Sequence, residues 1–396
     1  MGEWQTFCLK DLGKIVGGAT PPTNNPKNYG NKIAWITPKD LSTLQGRYIK
    51  KGSRSISRLG FQSCSCVLLP KHAILFSSRA PIGYVAIAEK RLCTNQGFKS
   101  IIPNKKIYFE FLYYLLKYHK DNISNIGGGT TFKEVSGATL GLFKVKIPPT
   151  YYEQQKIART LSILDQKIEN NHKINELLHK ILELLYEQYF VRFDFLDENN
   201  KPYQTSGGKM KFSKELNRLI PNGWSVRFLN HKIVSTYQPK TISKTLLNDS
   251  YSYSVYGGGG IIGRFTEYNH EQSEFIISCR GQCGISYLTL PKSWITGNAM
   301  VIRPTKSYTS KTYLYHTIKK YKLTNYITGS VQPQITRQNL STMPILIPKR
   351  KILNKWNNIS SLLWNLIHSN MQSTQTLTAL RDFLLPLLLK QQVKPK

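Results

Sequence analysis

The chain contains two copies of one module, and this internal repeat restricts its possible folds more than any other feature. The segment Ile-Leu-Phe-Ser-Ser-Arg-x3-Gly at residues 74–83 matches Phe-Ile-Ile-Ser-Cys-Arg-x3-Gly at residues 275–284. The segment 129–148 matches 329–348, and both end in an Ile-Pro pair. Because the matches keep the same order and nearly the same spacing, they indicate a tandem duplication.

A long helical pattern follows each copy. The first begins with a capping box, Thr150-x-x-Glu153, whose side chains satisfy the free N–H groups of a first helical turn. Apolar residues then recur alternately every four and three positions over about five heptads, which is the period of a coiled coil. The apolar seam positions are Ile157, Leu161, Leu164, Ile168, Leu178, Leu182 and Leu185, followed in the second helix by Ile352, Trp356, Ile359, Leu363, Leu366, Leu377, Leu380 and Leu384.

Each seam is polar at its centre, with Asn171 and Asn175 in the first helix and Asn370 and Ser373 in the second. If the helices pair antiparallel with matched ends, these polar layers meet and fix the register, although buried amides lower stability. A two-fold relation between duplicated modules favours this arrangement, while sequence symmetry alone leaves a parallel pair open. Two separate amphipathic helices, each packed on its own module, are the structural alternative.

Composition divides the chain into five segments. Residues 1–149 and 221–348 are rich in Gly, Pro and short β-favouring runs and also contain helical patterns, so we predict mixed α/β modules. The long helices occupy 150–192 and 349–390, and the polar, turn-rich segment 193–220 is typical of a linker. The predicted fold class is α+β, with two tandem modules separated by two long helices that form an antiparallel coiled coil.

Charge indicates the class of partner. Lys and Arg number 55 against 22 Asp and Glu, a formal net charge of +33 at pH 7, which exceeds what solubility requires and favours a polyanion. No acidic residue lies between Glu274 and Asp382, as expected of a surface that faces phosphates. Nucleic acid is therefore the predicted partner. A genome rich in A and T, which favours Lys and Asn codons, is the alternative cause of the charge.

Motifs for independent chemistry are not recognisable. The Gly-x-Gly-x-x-Gly at residues 258–263 opens no convincing helix and has no acid about 20 residues further on, so it is not a dinucleotide fingerprint. Asp165-x-Lys167 has nuclease-like spacing but falls inside the coiled-coil pattern. A Walker A motif is absent from the sequence, and neither the cysteines nor the histidines have the spacing of a zinc site. We therefore predict no catalytic, cofactor-binding or metal-binding residues.

The chain also lacks signals for secretion or membrane insertion. Its first residues do not form a signal peptide, and no segment approaches the ~20 apolar residues that a membrane span needs. The six cysteines suit reduced thiols in a chain of this length. These features predict a cytoplasmic protein with no membrane partner.

The order of these features resembles the DNA-specificity (S) subunits of type I restriction–modification systems. The matching segments are Gly-Gly-Ala-Thr-Pro (17–21), Trp-Ile-Thr-Pro-Lys-Asp-Leu (35–41), Ser-Arg-Ala-Pro-Ile-Gly (78–83), Thr-Asn-Gln-Gly-Phe (94–98), Tyr-Glu-Gln-Gln-Lys-Ile-Ala (152–158), Tyr-Gly-Gly-Gly-Gly-Ile-Ile-Gly (256–263) and Thr-Gly-Asn-Ala (296–299). The resemblance covers nearly the whole chain. It departs at residues 349–352, where Lys-Arg-Lys-Ile replaces the Glu-Gln-x-x-Ile found after the first module.

This resemblance implies a non-catalytic subunit with two target-recognition domains, residues 1–149 and 221–348. Each domain would read one half of a bipartite double-stranded DNA target, and the conserved spacer helices would set the gap between the halves. The expected partners are two methyltransferase (M) subunits, which carry S-adenosylmethionine, and two restriction or motor (R) subunits, with ATP and Mg on the partners. The alternatives are a diverged stand-alone DNA methyltransferase or nuclease, and a basic coiled-coil scaffold that binds nucleic acid.

Candidate DNA contacts follow strand-like runs in the resembling segments. The candidates are Thr37, Lys39, Asp40, Ser78, Arg79, Asn95, Gln96, Arg280 and Asn298. Asn and Gln amides pair bidentately with adenine, and the Arg fork suits guanine. The alternative for each residue is a structural turn or a phosphate contact. Residues shared by domains that read different sequences favour this alternative, because they carry no sequence-specific information.

Overall fold

The computed structural model describes residues 3–129, 133–248 and 251–395, so residues 130–132 of the repeated segment 129–148 lie outside the described part. The chain forms two compact units. The first comprises Met1–Lys173 and Asn370–Lys396, and the second comprises Ile174–Ser369. Each long helix contributes one part of its length to each unit, and the fold is of mixed α/β type, as predicted.

The first unit combines short strands with helices. Its strands are β1 (Gln5–Cys8), β2 (Gly13–Gly17), β3 (Tyr29–Ile36), β4 (Tyr48–Ile49), β5 (Arg54–Ile56), β6 (Ile74–Phe76), β7 (Val85–Ala88), β8 (Cys93–Thr94), β9 (Lys99–Pro103) and β10 (Lys144–Ile147). Its helices are α1 (Leu9–Leu12), α2 (Pro38–Ser42), α3 (Arg58–Gln62), α4 (Phe109–Tyr118), α5 (Lys120–Asn125), α6 (Gly137–Leu142) and the first part of α7 (Tyr151–Tyr186). The strands form three sheets, with the orders β2-β9-β6-β7-β4, β5-β3-β8 and β1-β10.

The core of the first unit lies between the five-stranded sheet and the long helices. Strand β6 is buried on both faces, which explains its uninterrupted apolar run. Helix α4 buries seven consecutive residues from Glu110 to Leu116, since it is covered on several sides. Trp4, Phe111 and Leu161 share one apolar cluster with Leu388 from the end of the chain. The cluster therefore ties both ends of the described chain to this unit.

The second unit contains the remaining elements. Its strands are β11 (Met210–Ser213), β12 (Arg218–Pro221), β13 (Ser225–Phe228), β14 (Val234–Tyr237), β15 (Tyr253–Gly257), β16 (Gly260–Phe265), β17 (Phe275–Ser278), β18 (Ser286–Leu288), β19 (Trp294–Ile295), β20 (Ala299–Pro304), β21 (Ile327–Thr328), β22 (Gln334–Ile335) and β23 (Pro344–Ile347). Its helices are the second part of α7, α8 (Lys311–Lys319), α9 (Arg337–Leu340) and the first part of α10 (Arg350–Leu389), and a π-helical turn, Glu187–Val191, follows α7.

The two units repeat one sheet topology. The order β14-β20-β17-β18 matches β2-β9-β6-β7, the order β16-β15-β19 matches β5-β3-β8, and the pair β13-β23 matches β1-β10. In each three-stranded sheet one pairing is parallel, between β3 and β8 and between β15 and β19. The duplication predicted from the sequence is therefore present in the strand order.

The segment 193–220 is folded, although its composition is typical of a linker. Strands β11 and β12 form a hairpin. The buried rings of Phe193 and Phe195 lie 5.5 and 5.3 Å from the ring of Trp224. The two Phe rings cover Trp224 at the start of the second module, so the segment packs on this module.

In the first unit, polar side chains connect the two long helices. Arg381 Nη1 of α10 donates to Asp165 Oδ1 of α7 over 2.7 Å. Asn171 Nδ2 lies 3.2 Å from Thr374 Oγ1 and 3.4 Å from the carbonyl oxygen of Asn370. The central polar layer of α7 thus contacts α10, partly through the backbone carbonyl oxygen of Asn370.

In the second unit, the contacts between α7 and α10 become aromatic. Asn175 Nδ2 donates to the carbonyl oxygen of Ile367 over 3.3 Å. The rings of His179 and Trp364 are 5.1 Å apart, and Tyr186 lies 5.8 Å from the ring of Trp356. Along this series, residue numbers rise on α7 while they fall on α10.

The burial of α10 differs from the expected heptad seam. The seam residues of α7 are buried or half-buried, but Ile359, Leu366 and Leu380 of α10 are exposed. Ser360 and Trp364 are buried instead, because Ser360 Oγ lies 2.8 Å from Thr312 Oγ1 of α8 and Trp364 lies 5.4 Å from the ring of Tyr315. In the second unit α10 packs against α8 as well as α7, and this packing shifts the buried stripe to Ser360 and Trp364.

Candidate nucleic-acid interface

Three turns of the first unit meet where strands β2, β3 and β8 end. Ala19 N donates to the carbonyl oxygen of Thr94 over 3.0 Å, and Asn95 N donates to that of Ile36 over 2.9 Å. A β-carbon at Gly18 would lie only 2.0 Å from the carbonyl oxygen of Asn95. A glycine at position 18 is therefore required for the close approach of these turns, which brings Thr37, Asn95 and their neighbours together.

Asp40 supports the turn that carries Lys39. Its Oδ2 accepts hydrogen bonds from Thr37 N at 2.8 Å and Thr37 Oγ1 at 2.7 Å, while its Oδ1 accepts one from Ser53 N at 2.7 Å. Partial burial tends to raise the pKa of Asp40, but the bonds from Ser53 and Thr37 outweigh it and lower the pKa. Both carboxylate oxygens are occupied, so Thr37 and Asp40 form a capping box rather than a surface that is open to bases.

Lys39 and Gln96 are the exposed members of this group. The Gln96 side chain is hydrogen-bonded to the Thr20 hydroxyl, and Asn95 Oδ1 accepts a bond from Gly97 N at 3.0 Å. The ammonium group of Lys39 points to solvent from the first turn of α2. Lys39 is therefore available for an anion, whereas the amides of Asn95 and Gln96 each hold a turn in place.

Ser78 and Arg79 follow strand β6 at a second position. Ser78 is buried, and its backbone is fixed on both sides, because its N–H donates to the carbonyl oxygen of Gly97 and its own carbonyl oxygen accepts from Val135 N. Arg79 Nη1 lies 3.7 Å from Glu134 Oε2. The position of Ser78 is that of a structural residue, while half-buried Arg79 lies at the surface with a charged partner.

The second unit repeats this arrangement with different side chains. Cys279 is the equivalent of Ser78, since its N–H donates to the carbonyl oxygen of Asn298 at 2.9 Å and its carbonyl oxygen accepts from Ile335 N at 3.1 Å. Gln238 Nε2 lies 2.8 Å from Cys279 Sγ. Arg280 and Asn298 are both exposed. Both belong to the stretch between Glu274 and Asp382, which contains no acidic residue.

A buried charged network in the first unit was not recognised from the sequence. Arg47 Nε lies 3.1 Å from Glu169 Oε1 of α7, and its Nη1 lies 2.9 Å from Glu110 Oε1 of α4. Tyr48 donates to the same Glu110 oxygen over 2.6 Å. The presence of Glu110 inside the apolar run of α4 was the available signal. The network joins the sheet, α4 and α7, so it positions the module on the helix.

The described residues contain no group of three or more His, Cys, Asp or Glu that could hold a metal ion. Within the same part of the chain, no helix combines the length and the apolar character needed to cross a bilayer.

Comparisons with known proteins identify the family. The model of the family described as "Type I restriction modification DNA specificity domain" matches residues 1–180 and 221–379. The chain is 32% identical to the Type I restriction enzyme MjaIX specificity subunit of Methanocaldococcus jannaschii, over 98% of this chain and 92% of that protein. It is 30% identical to the Type I restriction enzyme HindI specificity subunit of Haemophilus influenzae, over 46% of this chain and 40% of that protein.

A solved structure has a similar fold. The crystal structure of the type I restriction–modification S subunit from M. genitalium aligns with a TM-score of 0.61 and 18% identity, over 98% of this chain and 96% of that chain. The sequence similarities favour a specificity subunit over a stand-alone methyltransferase or nuclease and over a basic scaffold. The chain belongs to the family of type I restriction–modification DNA-specificity subunits.

Proposed function

We propose that the chain selects a bipartite double-stranded DNA target, with residues 1–149 reading one half and residues 221–348 the other. The observation that carries this proposal is the repetition of one sheet topology, β2-β9-β6-β7 and β14-β20-β17-β18. Two copies of one fold with different surface residues suit two half-sites of different sequence. The net charge of +33 supplies the attraction to the phosphate backbone.

The spacer helices, residues 150–192 and 349–390, form an antiparallel coiled coil that sets the unread gap. The contact of Asp165 with Arg381 supports this pairing in the first unit, and the contact of His179 with Trp364 supports it in the second. A helix rises about 1.5 Å per residue, so the helix lengths determine the separation of the half-sites. The segment 193–220 returns the chain to the second domain.

The chain acts without catalytic groups of its own. Two methyltransferase subunits, which carry S-adenosylmethionine, supply methyl transfer, and two restriction or motor subunits, which use ATP and Mg, supply translocation and cleavage. The family similarity supports partners of these classes.

An exposed apolar surface on the helices of the second unit is the docking place for a methyltransferase subunit. We define the spacer patch as Leu177, Ile181 and Leu184 of α7 with Leu362 and Leu366 of α10, which are between 43% and 68% exposed. By the register of His179 and Trp364, Leu177 lies level with Leu366. The opposite sides of both helices are buried within the unit, so the spacer patch is left uncovered by the described chain, as expected of a protein interface.

A methylation assay tests the proposed function. The purified chain should transfer no methyl group from radiolabelled S-adenosylmethionine to duplex DNA, and it should bind duplex DNA in preference to RNA. Addition of the cognate methyltransferase subunit should lead to methylation at one split DNA sequence. Methyl transfer by the chain alone, free of other subunits, contradicts the proposal. Equal binding of RNA supports the scaffold alternative instead.

Charge substitutions test the spacer patch. The double variant Leu177→Glu/Leu362→Glu should abolish association with the methyltransferase subunit, since it places two charges inside an apolar interface, while binding of the chain to DNA should persist. Ser361→Glu provides a matched control, because Ser361 is exposed beside the patch but outside it. Unchanged association of the double variant in gel filtration shows that the partner docks elsewhere.

A further inference from the structure

The turn after β6 and the turn after β17 have the same hydrogen bonds. Ser77 Oγ accepts from Tyr84 N at 2.8 Å, and Ser278 Oγ accepts from Ile285 N at 2.8 Å. In each turn a glycine N–H also donates to the carbonyl oxygen of that serine, over 3.0 Å in the first unit and 2.9 Å in the second. Arg79 and Arg280, each two residues after its serine, therefore occupy equivalent positions.

The segment beside each turn is also equivalent, but its charge differs. Val135 N donates to the carbonyl oxygen of Ser78, and Ile335 N donates to that of Cys279. The residue before Val135 is Glu134, whereas the residue before Ile335 is Gln334. The first unit therefore has a carboxylate beside its arginine, where the second unit has a neutral amide.

Glu134 neutralises two cations of the first unit. Its Oε2 lies 3.7 Å from Arg79 Nη1, and its Oε1 lies 3.4 Å from Lys99 Nζ. The side chains of Arg79 and Glu134 are 38% and 37% exposed, so this is a surface cluster in contact with solvent. An open pocket of about 550 Å³ adjoins it, with Arg79, Lys133 and Glu134 in its wall.

Arg280 has no such partner in the second unit. It is exposed, and it forms no ion pair with any residue that the structure describes. Its backbone forms a bridge with that of Gln334, so a neutral residue lies directly beside Arg280. The nearest acidic residues in the sequence are Glu274 before it and Asp382 after it.

We propose that Arg280 contacts a DNA phosphate, whereas Glu134 takes the place of a phosphate at Arg79 and Lys99 in the first unit. This inference rests on the proposed DNA-binding function. A carboxylate at 3.4 to 3.7 Å satisfies the same cations that a phosphate oxygen would satisfy, and it repels an incoming phosphate. The second domain therefore carries more of the salt-dependent affinity at this turn, and the first domain depends more on contacts with bases.

Reciprocal substitutions at one pair of positions provide the test. The full chain is titrated with a random-sequence duplex of about 40 base pairs between ~50 and ~200 mM salt, since each phosphate contact adds about 0.9 to the slope of log K against log salt. Glu134→Gln should steepen the slope by about one contact, and Gln334→Glu should flatten it by about one contact. One contact more or fewer changes the ratio of the affinity at ~50 mM salt to the affinity at ~200 mM salt about threefold.

Arginine removal gives the second measurement. Arg280→Gln should flatten the slope by about one contact, whereas Arg79→Gln should leave it nearly unchanged while Glu134 is present. Glu89→Gln and Gln272→Glu serve as charge-matched controls, because both residues are exposed and lie away from the two turns. Circular dichroism melting confirms that each variant is folded.

The outcomes separate this inference from the proposed function. If Glu134→Gln changes the slope no more than Glu89→Gln, or if the Arg79 and Arg280 variants lose equal affinity, the inference is wrong while DNA binding stands. If the unaltered chain binds the duplex with no salt dependence, the proposed electrostatic binding fails and the inference fails with it.

Discussion

The carboxylate of Asp165 joins two other elements of the first unit through its two oxygens. Oδ1 accepts a hydrogen bond from Arg381 of α10 at 2.7 Å, and Oδ2 accepts one from the Tyr114 hydroxyl of α4 at 2.5 Å. The side chains of Asp165 and Arg381 are only 5% and 13% exposed. Burial tends to lower the pKa of Arg381, but the charges of Asp165 and Asp382 outweigh it and raise the pKa. The guanidinium of Arg381 therefore stays charged inside the fold.

Asp165→Asn should destabilise the first unit by about 3 kcal/mol, because it removes the buried counter-charge of Arg381 and leaves only the exposed carboxylate of Asp382 beside it. The triple variant Tyr114→Phe/Asp165→Leu/Arg381→Met should recover part of this loss, since apolar groups replace the ion pair and the hydroxyl that donates to Asp165 is removed with it. Urea denaturation followed by tryptophan fluorescence measures both. A single variant as stable as the unaltered chain contradicts the assignment of this pair as a structural lock.

Lys39 should contribute to DNA binding, whereas the neighbouring Asp40 should contribute to stability. Lys39→Ala should weaken DNA binding about threefold more at ~50 mM than at ~200 mM salt, through the loss of one phosphate contact, and leave stability unchanged. Asp40→Asn should lower stability by about 1 kcal/mol, because the capping box and the bond to Ser53 are weakened. Filter binding and thermal melting separate the two effects. Equal stability of the Asp40 variant would show that its bonds are dispensable.

The sequence predicts the helices and the duplication better than the details of packing. Heptad spacing is a local property, so it predicts α7 and α10 at nearly their observed bounds. It cannot predict that Trp364 rather than Leu366 is buried, because the position of α8 decides that. Asp165 was correctly placed within the helical pattern, but its partner is 216 residues away, and helical spacing contains no information at that distance.

In the candidate site, too, local structure could be predicted from the sequence, whereas contacts between distant residues could not. Thr37-x-x-Asp40 has the spacing of a capping box, so its structural role could have been predicted. The pairing of Glu134 with Arg79 could not, because it requires the backbone hydrogen bond from Val135 to Ser78, which brings together segments more than 50 positions apart in the sequence. The DNA contacts of the nine candidate residues stay a prediction: Thr37, Lys39, Asp40, Ser78, Arg79, Asn95, Gln96, Arg280 and Asn298.

Acid should destabilise the second unit through buried His316 and half-buried His368. Burial lowers the pKa of His316 to about 3 and that of His368 to about 4, with nearby Lys319 contributing at His316 and Lys311 at His368. In the unfolded chain each imidazole titrates near ~6.5, so the unfolded state binds more protons below that pH. The stabilisation is complete above pH ~6.5 and decreases by about 1.4 kcal/mol per pH unit for each histidine as the pH falls.

His316→Phe should reduce the loss of unfolding free energy between pH 7.5 and 5.0 by about 2 kcal/mol, since Phe keeps the stacking on Tyr186 but does not titrate. His231→Phe is the control at an exposed position. Urea titrations at the two pH values give the difference. An unchanged pH dependence in His316→Phe contradicts the buried neutral imidazole.

A circular permutant tests the pairing of the helices. Trp4 and Leu388 lie in one apolar cluster, so a joint of about five Gly or Ser residues, which reaches at most ~18 Å, should connect Lys396 to Met1. The chain is opened after Gly207, which lies in an exposed turn. The permutant should remain folded and support methylation. If it aggregates while a permutant with a joint of about 30 residues behaves normally, the antiparallel pairing is wrong.

Each module is proposed to read one half of a split DNA target. Methylome sequencing of cells that express the chain with its methyltransferase partner measures this directly. A chimera in which a related module replaces residues 221–348 should change one half of the methylated sequence, and leave the other half and the gap between them unchanged. A chimera that changes both halves together, or a methylated sequence without a gap, contradicts the two-module account.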